Sequence, residues 1–375
     1  MKRVPVGPNC EGMYVARHVY DQANGQSILL RQGALLTSAL IQRMERRGIE
    51  GVWVSDELIP DIENSEVIQH ETREKSKAVI REVFRAFAGK KGDAIPQVHA
   101  LMQSVRQIVD DILGNEDVLM NIGQLRAFDD YTFGHSIQVA TISIIIGREM
   151  GLQRDQLERL GTGAILHDIG KVTIPKDVLN KQGELAPEEL ELIRGHARTG
   201  WEMVHENYLI MPTSSIVILE HHERIDGSGY PDGKRGEEIY EFSRMVAVAD
   251  VFDAMRSNRT YRKRLKPAQI LNNMKKDAGT RLDRRMVEIL LRRISLAAQG
   301  EIVRLSDGTY GMVREEDVIG HLQPRVCVVT DDAGRLVQRY EENLKGTSVY
   351  VLDVLDDWPP EILMQLKERR MEVAI

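Results

Sequence analysis

Between about residues 115 and 297 the chain reads almost wholly as apolar helices, and histidine or aspartate stands at the end of, or inside, several of them. His135 precedes the stripe Ile137, Ala140 and Ile144, and His167-Asp168 closes the segment Gly163-Ala-Ile-Leu. His196 follows Leu190 and Ile193 at helical spacing, His221-His222 closes Ile216 to Leu219, and Asp250 lies among Val246, Val248, Ala249 and Val251. Apolar residues at that spacing mark faces that must be buried. An imidazole or carboxylate carried into such a core without a partner costs several kcal/mol. A single buried histidine is ordinarily structural. Positions of this kind converging on one helical core call instead for a shared cation. Mixed imidazole and carboxylate donors suit divalent transition metals, so the pattern points to metal-assisted hydrolysis.

The rest of the sequence sets bounds on this reading. A chain of 375 residues allows two or three domains with a real core. Charged residues at 29% against 5% aromatics lean toward a helix-rich protein. A net charge of -7 argues against a binder of nucleic-acid polymers or membrane surfaces. An anionic ligand must then be met by metal or by a local basic patch. Cys10 and Cys327 are far apart and without metal-ligand spacing, as expected of reduced thiols in a cytoplasmic protein. The N-terminus lacks the apolar run of a signal peptide, and Val139 to Ile146 is too short to span a bilayer.

Texture divides the chain into four parts. Residues 1–60 read as a small α+β unit: strands over Val15 to Tyr20 and Ser27 to Leu30 flank Asn24-Gly25, a hairpin signal. Thr37 is placed to cap a helix that Gly48 ends, and Gly51 to Val54 follow as a strand. Residues 61–109 read as a helical connector, either plain packing or a relay or dimer contact. Residues 110–298 read as the catalytic region, and residues 299–375 as a small β-rich unit. In the last unit, β-like runs at Ile302 to Leu305, Gly311 to Val313, Val326 to Thr330 and Ser348 to Leu355 are separated by turns at Asp307-Gly308 and Asp331 to Gly334. The expected fold is mainly α, an all-helical catalytic domain between two small units. The terminal units carry no ligand motif and are candidates for a homodimer contact or a signalling partner. His18, His70, His99, His205 and His321 lack the helix-end context and are taken as ordinary.

Three stretches carry a family resemblance: His167-Asp168-Ile-Gly-Lys171, then His221-His222-Glu-Arg-Ile-Asp-Gly-Ser-Gly229-Tyr230-Pro231, then Val-Ala-Asp250-Val-Phe-Asp253-Ala-Met. In this order they resemble the HD-GYP family, over roughly residues 110–298. The resemblance implies an all-helical HD fold and a phosphodiesterase that opens cyclic di-GMP to pGpG, with GMP as the product of any further step. It implies that His135, His167, Asp168 and Asp250 hold one metal, that His196, His221 and His222 hold a second, and that Asp168 bridges the two. Iron or manganese would be typical. Some members place a glutamate four residues before the first histidine for a third metal. Here that residue is Tyr131, so two metals are expected.

Two metals about 3.5–4 Å apart can hold a bridging hydroxide and clamp a phosphate in line. Asp168 and Lys171 are the expected catalytic residues, with Lys171 beside the scissile phosphate. Gly229, Tyr230 and Pro231 are expected to wall the site. Asp226 has two open readings, supporting a ligand histidine or stabilising a turn. Arg259 and Arg262, in a basic run after Asp253, resemble the substrate-binding segment of the family, and a guanidinium fork suits phosphate and guanine edges. Two other readings stay open. One is an HD-type phosphohydrolase acting on another nucleotide, which the Gly-Tyr-Pro loop disfavours. The other is a silent cyclic di-GMP sensor, which loss of a metal ligand or of Lys171 would have supported.

Overall fold

The computed structural model describes residues 2–20, 27–49, 51–55, 67–89, 94–115, 120–121, 131–179, 181, 183–256, 265, 267–295, 297, 299–315, 323–355 and 357–365. The N-terminal unit pairs strand β1 (Lys2–Pro5) antiparallel with β4 (Gly51–Val54), and β2 (Val19–Tyr20) with β3 (Ile28–Leu30). Helix α1 (Ser38–Arg46) lies between β3 and β4. The Thr37 side chain caps α1 by accepting from the Leu40 N–H, and Gly48, at φ 72°, follows its end. Val4, Val15, Leu36, Ile41, Met44, Val52 and Val54 close the core of this unit. The expected Asn24-Gly25 turn lies outside the described residues.

The helical region begins with α2 (His70–Ala88) and α3 (Ile95–Leu113), which pack on each other. Both share one core with α4 (Tyr131–Glu149) and α5 (Arg154–Leu166). Then come the short α6 (Lys176–Leu179), α7 (Pro187–Arg194), α8 (His196–Val204), α9 (Pro212–Glu220), α10 (Glu241–Arg256), α11 (Pro267–Asp277) and α12 (Arg284–Arg293). A two-residue parallel pairing joins β5 (Met120–Asn121) to β6 (Ile294–Ser295).

Helix α4 is the centre. Every residue from 135 to 147 is buried, and α2, α3, α5, α10 and α12 pack around it. A helix that is apolar all round belongs in such a position. Its polar residues make the arrangement workable where they find partners, as Thr141 does by donating to the Ile137 carbonyl at 2.7 Å. Among the described residues no helix is long and apolar enough to cross a membrane.

The C-terminal unit is a five-stranded antiparallel sheet in the order β10-β9-β8-β7-β11. Its strands are β7 (Ile302–Leu305), β8 (Tyr310–Glu315), β9 (Arg325–Thr330), β10 (Leu336–Asn343) and β11 (Val351–Leu355). Four of them match β-like runs in the sequence. The fifth, β10, is a finding of the structure. Its residues Val-Gln-Arg-Tyr-Glu-Glu-Asn carry no apolar alternation, because β10 is an edge strand with only Leu336 buried. Ile302, Met312 and Cys327 pack under Trp358 and Ile362 on one face. Val303, Leu305, Val313, Val326 and Val328 close the other.

Candidate metal centre

Five helices and a short 3-10 turn deliver the polar residues to one place. His167 is the C-cap of α5 and His221 the C-cap of α9, while His196 opens α8 directly after α7. The last carbonyls of a helix lack intrahelical donors. Each of these histidines supplies one: His167 Nδ1 bonds the Ala164 carbonyl at 2.7 Å, His196 Nδ1 that of Ile193 at 2.5 Å, and His221 Nδ1 that of Ile218 at 2.9 Å. A carbonyl only accepts, so the proton sits on Nδ1 and the Nε2 lone pair is left to point inward. His135, on α4, has its Nδ1 committed to a carboxylate instead, 2.7 Å from Asp253 Oδ2, which leaves Nε2 facing inward.

These lone pairs converge on Asp168, which follows His167 and begins the turn Ile169–Thr173. Asp168 Oδ1 lies 3.3 Å from His196 Nε2 and 3.9 Å from His221 Nε2. Asp168 Oδ2 lies 3.3 Å from His167 Nε2 and 3.9 Å from His135 Nε2. Asp250, on α10, places Oδ1 3.3 Å from His135 Nε2 and Oδ2 3.9 Å from His222 Nδ1. Two donor groups result, Asp168 with His196, His221 and His222, and His135 with His167 and Asp250. Asp168 stands between them.

The donor chemistry fits a cation. His196 Nε2 and His221 Nε2 face each other at 3.2 Å while both Nδ1 protons are committed to carbonyls. Two lone pairs at that distance repel unless a proton or a metal lies between them. His167 Nε2 and Asp168 Oδ1 are buried without a hydrogen-bond partner, the kind of orphan that an ion resolves. Protonation follows the same logic. Burial and the neighbouring imidazoles hold His221 well below its ordinary pKa, and burial does the same for His222. Burial would raise the Asp168 carboxyl, but Lys171 and His167 outweigh it and keep it ionised. For Asp250, hydrogen bonding to His135 likewise overcomes burial. Burial would lower His135, yet Asp250 and Asp253 push it up to about 9. A metal at its Nε2 must therefore displace a proton there. The charges of Asp168, Asp250, His221 and His222 thus match what ligation needs, whereas two carboxylates charge His135.

Close backbone packing holds this geometry. A Cβ on Gly170 would overlap the His196 carbonyl oxygen and the Gly200 N–H, so the Asp168 turn can approach α8 only with glycine there. Likewise a Cβ on Gly229 would run into the Glu223 and Arg224 backbone, and this close approach brings Tyr230 over the site. The Tyr230 ring stacks on His222, with centroids 4.7 Å apart and planes at 30°. Tyr230-Pro231 is a cis peptide bond. Lys171 donates to Asp168 Oδ2 at 2.6 Å while keeping 28% of its side chain exposed.

Sequence reasoning did not assign Asp253, Glu220 or Glu223. Asp253 sits one turn after Asp250 on the same face of α10, an i,i+3 spacing visible in Asp-Val-Phe-Asp. Glu220 and Glu223 flank the histidine pair, and both are buried. Glu223 accepts from the N–H groups of Asp232, Gly233 and Lys234. Glu220 accepts from the Tyr240 N–H and from the Lys234 ammonium. Together they tie the Gly-Tyr-Pro loop to the end of α9. Asp226 makes an Asx turn, accepting from both Ser228 N and Ser228 Oγ, so its turn reading holds. Arg259 and Arg262 lie outside the described residues, as does His321. Tyr131 opens α4, and its side chain too is outside them. Of the ordinary histidines, His18 accepts from Gln32 N, His99 meets the Ile95 carbonyl, His205 stacks on Trp201, and His70 meets the His18 carbonyl.

Fold and site together define an HD-type phosphohydrolase, and comparison with known proteins agrees. A family model described as HD domain matches residues 117–286. The chain is 30% identical over 356 residues to cyclic di-GMP phosphodiesterase PA4108 of Pseudomonas aeruginosa, covering 88% of this chain and 85% of that protein. It is 32% identical over 189 residues to 3'3'-cGAMP-specific phosphodiesterase 1 of Vibrio cholerae, covering 49% of this chain and 42% of the relative. The fold resembles the structure of Bd1817, an HDG"Y"P protein from Bdellovibrio bacteriovorus, with a TM-score of 0.53 and 19% identity over 77% of this chain and 97% of that one. The chain belongs to the HD-GYP family of HD-domain proteins. It spans most of the Pseudomonas relative and about two fifths of the Vibrio one.

Proposed function

We propose that this chain hydrolyses cyclic di-GMP to pGpG, with GMP as the product of any further step, using two divalent transition metals held by His135, His167, Asp168, Asp250, His196, His221 and His222. One observation carries the reading: imidazole nitrogens and ionised carboxylates converge on Asp168, with His196 Nε2 and His221 Nε2 facing each other at 3.2 Å. Two bound metals supply an activated water near neutral pH and clamp a phosphate in line. Iron or manganese is the choice that the family resemblance implies, while the mixed donor set itself suits several transition metals.

The remaining steps belong to the chain's residues. Asp168 places one oxygen toward each donor group, which suits a bridging ligand. Lys171 stands at the mouth with its ammonium on Asp168. From there it neutralises charge on the scissile phosphate or assists the leaving oxygen. Tyr230, stacked on His222, walls the site beside the entering nucleotide. Arg259 and Arg262 complete the proposed substrate contacts. The Vibrio relative supports a second reading, in which 3'3'-cGAMP is the preferred substrate of the same site.

The test pairs metal analysis with product analysis on the metal-loaded protein. We expect about two metals per chain and conversion of cyclic di-GMP to pGpG, with 3'3'-cGAMP as competitor deciding between the two substrates. Protein that binds cyclic di-GMP but leaves it intact would be a sensor. Full metal content and activity in His135→Ala would refute the ligand set.

A further inference from the structure

We propose that Arg194 is a substrate-binding residue that holds the non-scissile phosphate of a cyclic dinucleotide. The inference rests on the cyclic dinucleotide reading given above. Such a substrate carries two phosphodiesters on opposite sides of one macrocycle. When one occupies the metal centre, the other is carried out toward the mouth, where it needs a cation that the metals cannot supply.

Among the described residues, the cations around the site are not equally able to meet it. Lys171 faces Asp168, beside the scissile phosphate. Lys234 is held by the buried Glu220, and Arg198, on α8, reaches across to Asp232 of the Gly-Tyr-Pro loop at 2.5 Å. Arg224 is half-buried, with its Nη1 on the Glu223 carbonyl at 3.3 Å. Arg194 differs from all of these. It ends α7 two residues before His196, and its guanidinium carbon lies 5.6 Å from the centroid of the Tyr230 ring. That ring in turn stacks on His222, so Arg194 stands one aromatic ring away from the metal-ligand cluster.

Its acidic contact is weakly held. Glu191, 3.1 Å away, is an i,i+3 pair with both side chains substantially exposed, at 46% and 71%. A pair of that kind contributes little and exchanges readily for a dianionic ligand. A guanidinium lying over an aromatic face also keeps N–H groups free at its edge, in the fork geometry that matches phosphate oxygens. Tyr230 therefore pre-places Arg194 in addition to walling the site.

The experiment compares cyclic di-GMP with bis(p-nitrophenyl) phosphate, a diester that has only one phosphate, on the metal-loaded full chain. Loss of one charge-assisted hydrogen bond corresponds to about 10- to 100-fold in binding. Arg194→Ala is expected to raise KM for cyclic di-GMP by that factor, with wild-type metal content and a several-fold smaller loss on the single-phosphate diester. Arg194→Lys should recover part of the loss, and Arg194→Gln none. An unaltered KM in Arg194→Ala would overturn the inference. So would equal losses on both substrates, which would mean that Arg194 acts only by placing the loop. Wild-type protein that cleaves the small diester but no cyclic dinucleotide would instead refute the parent reading, and this inference with it.

Discussion

Of the acid–base clusters in the helical region, the one around Asp168 and the one around Glu74 balance charge in opposite ways. Glu74 has its partners on its own helix: Lys77 donates to it at 2.7 Å one turn on, with Arg73 and His70 close by on α2. Burial would raise its carboxyl, but these cations outweigh burial and hold it at about 2. This cluster is complete as folded. The Asp168 cluster draws donors from five helices and turns their protons away, onto carbonyls at helix ends and onto Asp253. What faces the middle is a set of imidazole nitrogens and carboxylate oxygens of the kind that ligate a cation. Neighbours on one helix can neutralise each other. Convergence from several helices can collect like groups that would never sit together in a local segment.

The largest test of this contrast is Asp168→Ala, which removes the carboxylate between the two donor groups. Metal content should fall and hydrolysis should drop by about 10³-fold or more, the scale of losing a group that organises metal-assisted catalysis. Elemental analysis and turnover measured on the same preparation check it. Retained metal with retained turnover would remove Asp168 from the centre.

Glu74→Gln probes the other cluster. Its carboxyl is depressed from 4.5 to about 2. Its stabilisation is therefore present above pH 4.5 and is lost as the pH falls from there toward 2. A tenfold change in proton affinity is worth about 1.4 kcal/mol, so the variant should lose up to roughly 3.5 kcal/mol at neutral pH. Denaturant titrations across that acid window should show a flatter limb than wild type, with metal content unchanged. An unaltered acid limb would show that Lys77 and Arg73 do not act on Glu74 as the geometry indicates.

Asp253→Asn sharpens the comparison at the smallest scale. It keeps the shape of the His135 partner but removes the charge on its Nδ1. Losing such an outer carboxylate typically costs about 10- to 100-fold in metal affinity. Competition against a chromophoric chelator would measure it, and unchanged affinity would mean that His135 is held well enough by Asp250.

Much of the site was legible before any coordinates, because each donor interrupts an apolar helix or closes one. His167 and His221 cap α5 and α9, so the same helix-end chemistry that makes them conspicuous in sequence also sets their tautomers. Other elements were not legible. Strand β10 carries Arg339, Glu341 and Glu342 because only its partner strand, not the core, demands it. Glu220 and Glu223 read as an ordinary charge run beside the histidines. Their role depends on a loop that folds back 10 to 20 residues later.

Hydrophobic periodicity and helix-end residues, which are local properties, determined that residues 131–293 form a helical bundle whose apolar helices are closed or interrupted by histidine and aspartate. Tertiary structure alone decided that these ends meet at Asp168, that Gly170 and Gly229 let backbones approach closely enough to hold them there, and that Arg194 comes to rest on Tyr230. Those are distances between segments far apart in the chain. They follow from packing many faces at once, which no single stretch of sequence encodes.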